Sequence, residues 1–385
     1  MDFAFNEEQK SLGEIVGQVL ADFPGLTAPE PVDGEDEAVW SALAELGLFS
    51  LLVPEAFGGM GLALVDVALA IEALGAGLAP AVVASTLIAT DLLAQFGTSP
   101  QQADLFPRIA AGQLRIALAV QEAGQFHDGE NLQTVVEGNR VSGAKVLVGG
   151  AAQADAYLVL AAVDGRPGLV LISRKARGVA LRGHETIDPA SQFGELVLDA
   201  ASLGEISPIG HKVAALAVER LSNVGATVFA GMEAGIAARM LETSVDYAKV
   251  RVQFGRPIGA FQAIKHRCAD MAVAVEAAKA ASYYAYWAVS NKAPDAAKAS
   301  SMAKAYCGEV TQSACNEAIQ IHGGMGFTWE LPLHRFLRRS KVLDHGFGAP
   351  GWHYERVMRE TLGDVRIVEP VRLGEPKVAN AAGKW

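Results

Sequence analysis

The chain has 385 residues, of which 51% are hydrophobic, and a formal net charge of −11 at pH 7. A chain of this length can bury a large core and is expected to form two or three structural units. Lys and Arg form no long basic run, so the chain lacks the positively charged surface that nucleic-acid binding requires. The composition therefore predicts a protein without a nucleic-acid partner.

The N-terminus and the cysteines predict a cytoplasmic protein. The first residues are acidic and lack the apolar core of a secretory signal, and no apolar run is interpreted as long enough to span a bilayer. Cys268, Cys307 and Cys315 lie in helical patterns without metal-ligand spacing. We therefore expect reduced, structural thiols, no metal site and no membrane partner.

Residues 1–113 are predicted to form an N-terminal helical domain. Asn6 is suited to cap a first helix, because its side chain can accept a backbone hydrogen bond and the glutamates that follow favour the positive end of a helix. Apolar residues at helical spacing indicate four further helices. One of these ends near residue 48, and the others span residues 65–75, 87–96 and 101–111.

Residues 114–210 are predicted to form a middle antiparallel β-domain. Short runs rich in β-branched residues alternate there with Gly, Asp and Asn, which are typical of turns between antiparallel strands. The predicted strands occupy residues 116–120, 133–137, 141–148, 156–162, 168–172, 179–181 and 194–198.

Helical periodicity returns over residues 211–368, which are predicted to form a C-terminal four-helix bundle. Asp295 marks a helix start, and Gly323-Gly324 marks a helix end. A tail over residues 369–385 is expected to be extended. Two helical regions around a β-region predict an α+β fold. The expected C-terminal helices cover residues 213–250, 262–290, 295–321, 331–343 and 350–362.

Three segments of the chain carry a family resemblance: residues 46–61, residues 247–262 and residues 320–327. Taken in this order, they resemble the acyl-CoA dehydrogenase family, and the resemblance extends over nearly the whole chain. It implies an acyl-CoA dehydrogenase-like α+β fold with the three domains described above. In that family a carboxylate base removes the α-proton of an acyl-CoA thioester, while FAD takes the β-hydrogen as a hydride. The resemblance therefore implies an FAD cofactor and an acyl-CoA substrate.

The resemblance also implies a set of residues that bind the FAD of a neighbouring subunit. Arg251 matches the arginine that pairs with the pyrophosphate, and Gly323-Gly324 matches a segment that the cofactor approaches closely. Taken singly, Arg251 also fits a surface residue that closes a helix, and Phe254 and Phe261 fit ordinary core residues. The full candidate set is Arg251, Gln253, Phe254, Phe261, Gln262, Gln320, Gly323 and Gly324.

The sequence departs from the family at the catalytic base. Alignment without gaps from the 320–327 segment places Phe347 where the main branch of the family has its glutamate. A second branch carries its base on an earlier helix, and that position falls at Gly225. Glu219-Arg220 lies six residues upstream, too far around and along a helix to substitute without an insertion. The catalytic residue is therefore unassigned.

The residues that would hold this chain's own flavin ring differ from the family as well. A loop of the Thr-Glu-Pro-Gly type is expected after the first strand, and residues 120–128 read Val-Gln-Glu-Ala-Gly-Gln-Phe-His-Asp there. Leu147 and Gly149 occupy the places of a tryptophan and a threonine. The resemblance thus implies a chain that has kept the residues serving a neighbour's FAD and lost those serving its own.

This asymmetry predicts the base-lacking subunit of a heterotetrameric enzyme, α2β2, such as those of steroid side-chain degradation. A second subunit of the same family would supply the base, and an electron-transferring flavoprotein would accept the electrons. Two alternatives remain open. One is a self-sufficient homo-oligomer with a displaced base, either His345 or Glu219, and the other is a non-catalytic scaffold that binds acyl-CoA or a partner. His322 lies in the flavin-adjacent segment and is a further titratable candidate.

Overall fold

The computed structural model describes residues 5–28, 32–124, 131–204, 209 and 214–363. The predicted tail over residues 369–385 lies outside these residues, as does part of the region around the domain boundary placed at residue 210. The boundaries at residues 113 and 210 stay predictions, whereas the elements on either side of them are described below.

The described residues of the N-terminal part form five α-helices, as predicted. The Asn6 side chain accepts a 2.8 Å hydrogen bond from the backbone of Gln9, and the Gln9 side chain accepts one from the Asn6 backbone, which is a reciprocal capping box. The five helices are α1 (Glu7–Ala21), α2 (Glu35–Glu45), α3 (Ala68–Ala76), α4 (Ala81–Phe96) and α5 (Ser99–Ala110).

Four of these helices differ from the predicted bounds. Helix α3 begins at Ala68 instead of residue 65, after a 3-10 turn, and α5 spans Ser99–Ala110 instead of residues 101–111. Helix α2 ends at Glu45 instead of near Leu48, because Gly47 adopts the left-handed conformation and a short 3-10 turn follows. Helix α4 begins six residues earlier than predicted, at Ala81 instead of at residue 87. All residues from Val82 to Leu93 are buried, so no polar face marks the beginning of this helix in the sequence.

Seven strands form one sheet, close to the predicted positions. They pair in the order β1-β4-β2-β3-β7-β6, and β5 adds to β4. The sheet packs against α4 and α6, and places the ends of β1 and β3 beside the C-terminal helices. The strands are β1 (Ile116–Ala119), β2 (Val135–Glu137), β3 (Arg140–Val148), β4 (Ala156–Val163), β5 (Arg166–Ser173), β6 (Val179–Gly183) and β7 (Gly194–Ser202).

The prediction of a purely antiparallel middle domain is wrong. Strands β1 and β2 both run parallel to β4, with Ile116 opposite Ala156 and Val135 opposite Ala162, so the sheet is mixed. Turn residues identify strands that follow one another as hairpins, and three antiparallel pairings, β2 with β3, β4 with β5 and β6 with β7, agree with that signal. The fourth antiparallel pair, β3 with β7, joins strands that are distant in the sequence. Parallel partners are joined by long connections that leave no local sequence signal.

The C-terminal part is a helical bundle. Helices α6, α7 and α8 are long, α9 packs on α6 and α8 as a fourth helix, and α10 packs on α8. A two-stranded ribbon, β8 (Val252–Gln253) with β9 (Arg256–Pro257), connects the first two helices. The helices are α6 (Ala214–Val250), α7 (Gln262–Ser290), α8 (Ala296–His322), α9 (Leu333–His345) and α10 (Pro350–Leu362).

Helix α6 corrects the expectation that no segment could span a bilayer. Its 37 residues are long and apolar enough to do so by length and composition alone. However, 78% of its most apolar window is buried inside the fold, where it packs on α3, α4, α7 and α8. Its apolar character is therefore accounted for by its place as the central core helix.

Candidate functional site

A cavity of about 400 Å³ lies where the three parts of the chain meet. Its wall is formed by α4, by the ends of β1 and β3, by α6, and by α9 with the loop that follows it. Most of the wall is apolar. The charged or titratable side chains among the described wall residues are Arg339, Lys341 and His345, and no Asp or Glu is among them.

The two positions proposed for a catalytic base meet at the floor of this cavity. Phe347 is 6% exposed, and its ring lies directly over Gly225 of α6. A Cβ atom on residue 225 would lie 2.2, 2.4 and 2.5 Å from three carbons of that ring. The space of one base position is therefore filled by the side chain that stands at the other.

The loop that carries Phe347 is built around aromatic rings. Phe347 has a left-handed backbone, with φ of 59°, which is uncommon for a residue with a Cβ. Its ring meets Phe229 edge to face at 5.0 Å between ring centroids. A Cβ on Gly346 would lie 2.3 Å from the Phe229 ring, and one on Gly348 would lie 2.7 Å from Trp352. Glycine on both sides of Phe347 therefore allows the rings to close around the loop.

The positions that would hold this chain's own flavin ring line the same cavity. Leu147 and Gly149 are both in the wall, and a Cβ on Gly149 would lie 3.0 Å from the Ala81 Cβ. Gln121 is in the wall as well, whereas residues 125–128 of the predicted loop lie outside the described residues. The structure thus brings Gln121, Leu147 and Gly149 together in one wall.

Glu122, next to Gln121, is buried within the sheet. Its carboxylate accepts a 2.7 Å hydrogen bond from the buried Lys145 ammonium and further bonds from the backbone of Gln133 and Thr134. Burial acts to raise the pKa of Glu122, but these donors outweigh it and the pKa is lowered. Glu122 is thus an ionised structural residue that ties the segment after β1 to β3 and to the backbone of residues 133 and 134.

A buried ion pair that the sequence analysis did not identify also borders the cavity. The Arg339 Nε donates to Asp188 at 2.5 Å, and its Nη1 donates to the Ala79 carbonyl at 2.9 Å. Burial acts to raise the pKa of Asp188, but Arg339 and the hydroxyl of Ser191 outweigh it and the pKa is lowered. The pair joins α9 to the β-region and to the segment before α4. An arginine on the apolar face of α9 was its only signal in the sequence.

Glu219 does not border the cavity. It is exposed, and the neighbouring Arg220 makes a bidentate ion pair with Asp91 of α4 at 2.7 and 2.8 Å. Arg220 also donates to the Val289 carbonyl. The structure thus assigns Arg220 to helix packing and separates Glu219 from the cavity.

Most residues of the candidate FAD set are exposed. Phe254 is 92% exposed, which rules out the interpretation that it is a core residue, and Phe261 is half-buried. Arg256 stacks over the Phe261 ring at 4.2 Å, and the rings of Phe254 and Phe261 meet edge to face at 6.0 Å. The exposed members are Arg251, Gln253, Phe254, Gln262, Gln320, Gly323 and Gly324.

Both segments of this set lie at the same end of the bundle. The Arg251 backbone donates to the Tyr247 carbonyl, and the Tyr247 ring stacks on His322 at 4.1 Å. Gly323 follows His322 directly, so this stack brings the two segments together. His322 is buried, its Nδ1 is 2.7 Å from the Ala318 carbonyl, and burial lowers its pKa. His322 therefore has a structural role here.

Gly324 shows that this surface is open to an external group. A Cβ on Gly324 would have no neighbour within 4 Å, and the backbone of Gly324 is not left-handed. Gly323, in contrast, has φ of 61°, which by itself favours glycine. Neither packing nor backbone geometry within this chain therefore requires glycine at position 324.

Two features, a cavity at the junction of a helical domain, a sheet and a helical bundle, and a separate exposed surface of arginine, aromatic and glycine residues at the C-terminal end of α6, together define a class of flavin-type dehydrogenases. The model of the acyl-CoA dehydrogenase N-terminal domain matches residues 6–113, and that of the C-terminal domain matches residues 214–362. An acyl-CoA dehydrogenase of Bacillus subtilis (strain 168) is 31% identical over 340 residues, which are 82% of this chain and 88% of that protein. The chain belongs to the acyl-CoA dehydrogenase family.

Solved structures agree with this assignment. A variant of the steroid ACAD Tcur3481-Tcur3483 is 30% identical, with a TM-score of 0.83 over 93% of this chain and 99% of that one. The ChsE4-ChsE5 complex from Mycobacterium tuberculosis is 26% identical, with a TM-score of 0.83 over 94% of this chain and 99% of that one. The predicted fold is confirmed, apart from the mixed sheet.

Proposed function

We propose that this chain is the base-lacking subunit of a hetero-oligomeric, FAD-dependent acyl-CoA dehydrogenase. In this proposal it pairs with a second subunit of the same family, as α2β2, and completes the FAD site of that subunit. The enzyme removes two hydrogens across the α and β carbons of an acyl-CoA, in the cytoplasm, and passes the electrons to an electron-transferring flavoprotein.

The single observation that carries the proposal is the contact between Gly225 and Phe347 at the floor of the cavity. The two positions at which the family resemblance expects a base are a glycine and a phenylalanine, and they pack against each other. Phenylalanine cannot accept a proton, and no described wall residue is an Asp or Glu. Proton abstraction from a thioester needs a basic group against the α carbon. This arrangement supports a partner that supplies the base.

The exposed surface at the end of the bundle supports the second part of the proposal. Arg251 would pair with the FAD pyrophosphate, since a guanidinium matches the geometry of phosphate oxygens. Phe254 and Gln262 would pack and hydrogen-bond around the adenosine, and the open face of Gly324 would admit the cofactor close to the backbone. When bound, FAD supplies the hydride acceptor. The residues present fit this role, because all four are exposed.

The similar structures support an assembly of two components. One of them is a complex, ChsE4-ChsE5, and the other carries two component names, Tcur3481-Tcur3483, with the description steroid ACAD. We extend the two-component assembly and a bulky, steroid-type acyl group to this chain as part of the proposal.

Co-expression tests the proposal directly. We expect the chain purified alone to be colourless and inactive, and to retain FAD and oxidise an acyl-CoA when co-purified with its partner subunit. The measurements are the flavin absorbance per protein and the reduction of an artificial electron acceptor. Full flavin occupancy together with turnover by the lone chain would reject the proposal.

His345 offers a second candidate function, a self-sufficient homo-oligomeric dehydrogenase. This is the titratable side chain in the cavity wall two residues before Phe347, and an imidazole can act as a base near neutral pH. If this function holds, a lone-chain activity would fall by about 100-fold or more in His345→Ala. An equal substitution of His184, which is half-buried and outside the cavity wall, is the control. Unchanged activity in His345→Ala eliminates the candidate.

A further inference from the structure

A buried cluster of charged residues lies directly behind the loop that carries Phe347. Glu233 of α6 and Lys304 of α8 are fully buried, and Asp344, at the end of α9, is 6% exposed. The Lys304 ammonium donates to the Glu233 carboxylate at 2.9 Å and to the Asp344 backbone carbonyl at 3.1 Å. The lysine therefore ties two helices to the residue that begins the loop.

The two carboxyl groups of the cluster face the same small space. A Cβ on Gly308 of α8 would lie 2.5 Å from Asp344 Oδ1 and 3.6 Å from Glu233 Oε1. Among the residues that the structure describes, Asp344 Oδ1 and Glu233 Oε2 are buried without a hydrogen-bond partner. A side chain on residue 308 would enter the space that both carboxyl groups border.

The charges of the cluster do not balance. One ammonium faces two carboxyl groups, so the fully ionised cluster carries one uncompensated negative charge in the interior. Such a charge is strongly unfavourable unless it is paired or takes up a proton. A proton on one carboxyl group removes the excess charge, and it turns one of the unpartnered carboxyl oxygens into a hydrogen-bond donor. The geometry therefore favours a singly protonated pair.

We infer that Glu233, Lys304 and Asp344 form a proton-sharing anchor that positions the loop over residues 345–349 in the cavity wall. Protonated, the cluster holds the end of α9 through Lys304, and Phe347 stays over Gly225. Deprotonated, the excess charge repels Asp344 from Glu233 and loosens the loop. These are positioning residues, since none of the three lines the cavity.

The groups around the cluster keep their charge state near neutral pH. Burial raises the pKa of Glu233 to about 7, which the charge of Asp344 reinforces and Lys304 opposes. Tyr286 on α7 and Cys307 on α8 stay neutral, because burial raises the pKa of each well above its ordinary value. Tyr354 on α10, which the charge of Asp344 also reaches, stays neutral, because its hydrogen bond to Glu309 raises its pKa to about 12. Glu72 on α3 is paired with Lys279 of α7 at 3.0 Å.

The sign of the pH effect follows from the direction of this shift. The folded pKa of about 7 lies above the ordinary value of 4.5. Between these two values the folded chain holds a proton that the unfolded chain has released, so stability falls as the pH rises through this window. Above the folded pKa, the contribution of the cluster to the free energy of unfolding no longer changes with pH.

The test measures the melting temperature of the lone chain at pH 5 and pH 8, without flavin or partner. In the wild type, we expect the melting temperature to be lower at pH 8 than at pH 5 by about 3 °C or more. Glu233→Gln mimics the protonated carboxyl group, so we expect it to abolish this difference. Asp344→Asn should reduce the fall as well, because it removes the second charge. Glu242→Gln, an exposed glutamate on the same helix, is the matched control and should behave like the wild type.

Hydrogen exchange of the loop provides a readout that stability alone would not change. The Gly346 amide donates to the Val342 and Leu343 carbonyls, and the Gly348 amide donates to His345. We expect the protection of these amides to fall by about tenfold from pH 5 to pH 8 in the wild type and to stay constant in Glu233→Gln, after correction for intrinsic exchange. Identical pH responses of wild type and Glu233→Gln, or a full response in Asp344→Asn, would overturn the inference. The proposed flavin role is untouched by either result.

Discussion

Gly225→Ala lowers the free energy of unfolding by about 3 kcal/mol, at the upper end of what overpacking a core costs. The new methyl group would lie 2.2 Å from the Phe347 ring, well inside van der Waals contact. The ring cannot move away cheaply, because Phe229 meets it edge to face and the rings of Phe229 and Trp352 pack closely against the backbone on either side of it. The decrease in the free energy of unfolding is measured by urea denaturation, with circular dichroism as the signal.

Gly17→Ala is the matched control. Gly17 lies within α1, and a Cβ at this position has no neighbour within 4 Å. Replacing a helical glycine with alanine at an open position stabilises a helix by about 0.5 to 1 kcal/mol. The same substitution is therefore expected to raise the free energy of unfolding at position 17 and to lower it at position 225. A stabilising effect of Gly225→Ala would show that Phe347 does not fill this space.

Phe347→Ala should suppress most of the cost of Gly225→Ala. Removal of the ring by itself costs about 3 to 5 kcal/mol, because it leaves a cavity. In that background the methyl group at position 225 partly refills the space, so we expect a coupling energy of about 1 to 3 kcal/mol in the double-mutant cycle. Additive effects would contradict the contact. A positive result means that the base position is occupied by packing, and that a carboxylate at position 347 alone would leave a void and a buried charge.

The sequence was sufficient to place most of the elements of this fold. Seven strands and ten helices carry strong periodicity or turn residues, and the bounds of α7 and α10 agree residue by residue. Where the prediction fails, the local signal is absent. Helix α4 is buried on all sides at its start, and the parallel pairing of β1 with β4 depends on the tertiary fold.

The candidate site required the three-dimensional structure for the same reason. Gly225 and Phe347 were found separately, as two alternative base positions, and only the packing of α6 against the loop after α9 shows that they share one space. The Glu233–Lys304–Asp344 cluster combines three helices, and each of its members looks like an ordinary surface residue in the sequence. The exposure of Phe254 in the structure also shows that it is not a core residue, which the periodicity of the sequence could not decide.

Arg251→Glu weakens the retention of FAD in the co-purified complex by about 10- to 100-fold. A hydrogen bond to a charged group contributes about 1.5 to 3 kcal/mol, and each 1.4 kcal/mol corresponds to a factor of ten in affinity. The glutamate also repels the pyrophosphate. The effect on folding should be small, because Arg251 is exposed. Flavin released during gel filtration, measured by fluorescence, gives the retention.

Lys249→Glu separates a specific contact from a general change of charge. Lys249 is two residues from Arg251, is exposed, and pairs with Asp246 within its own helix at 3.0 Å. Both substitutions change the net charge by the same amount at the same end of the bundle. If Arg251 binds the pyrophosphate directly, only its replacement releases FAD. Equal losses in the two variants would mean that the surface acts through its overall potential, and unchanged retention in Arg251→Glu would remove this face of the bundle from the cofactor site.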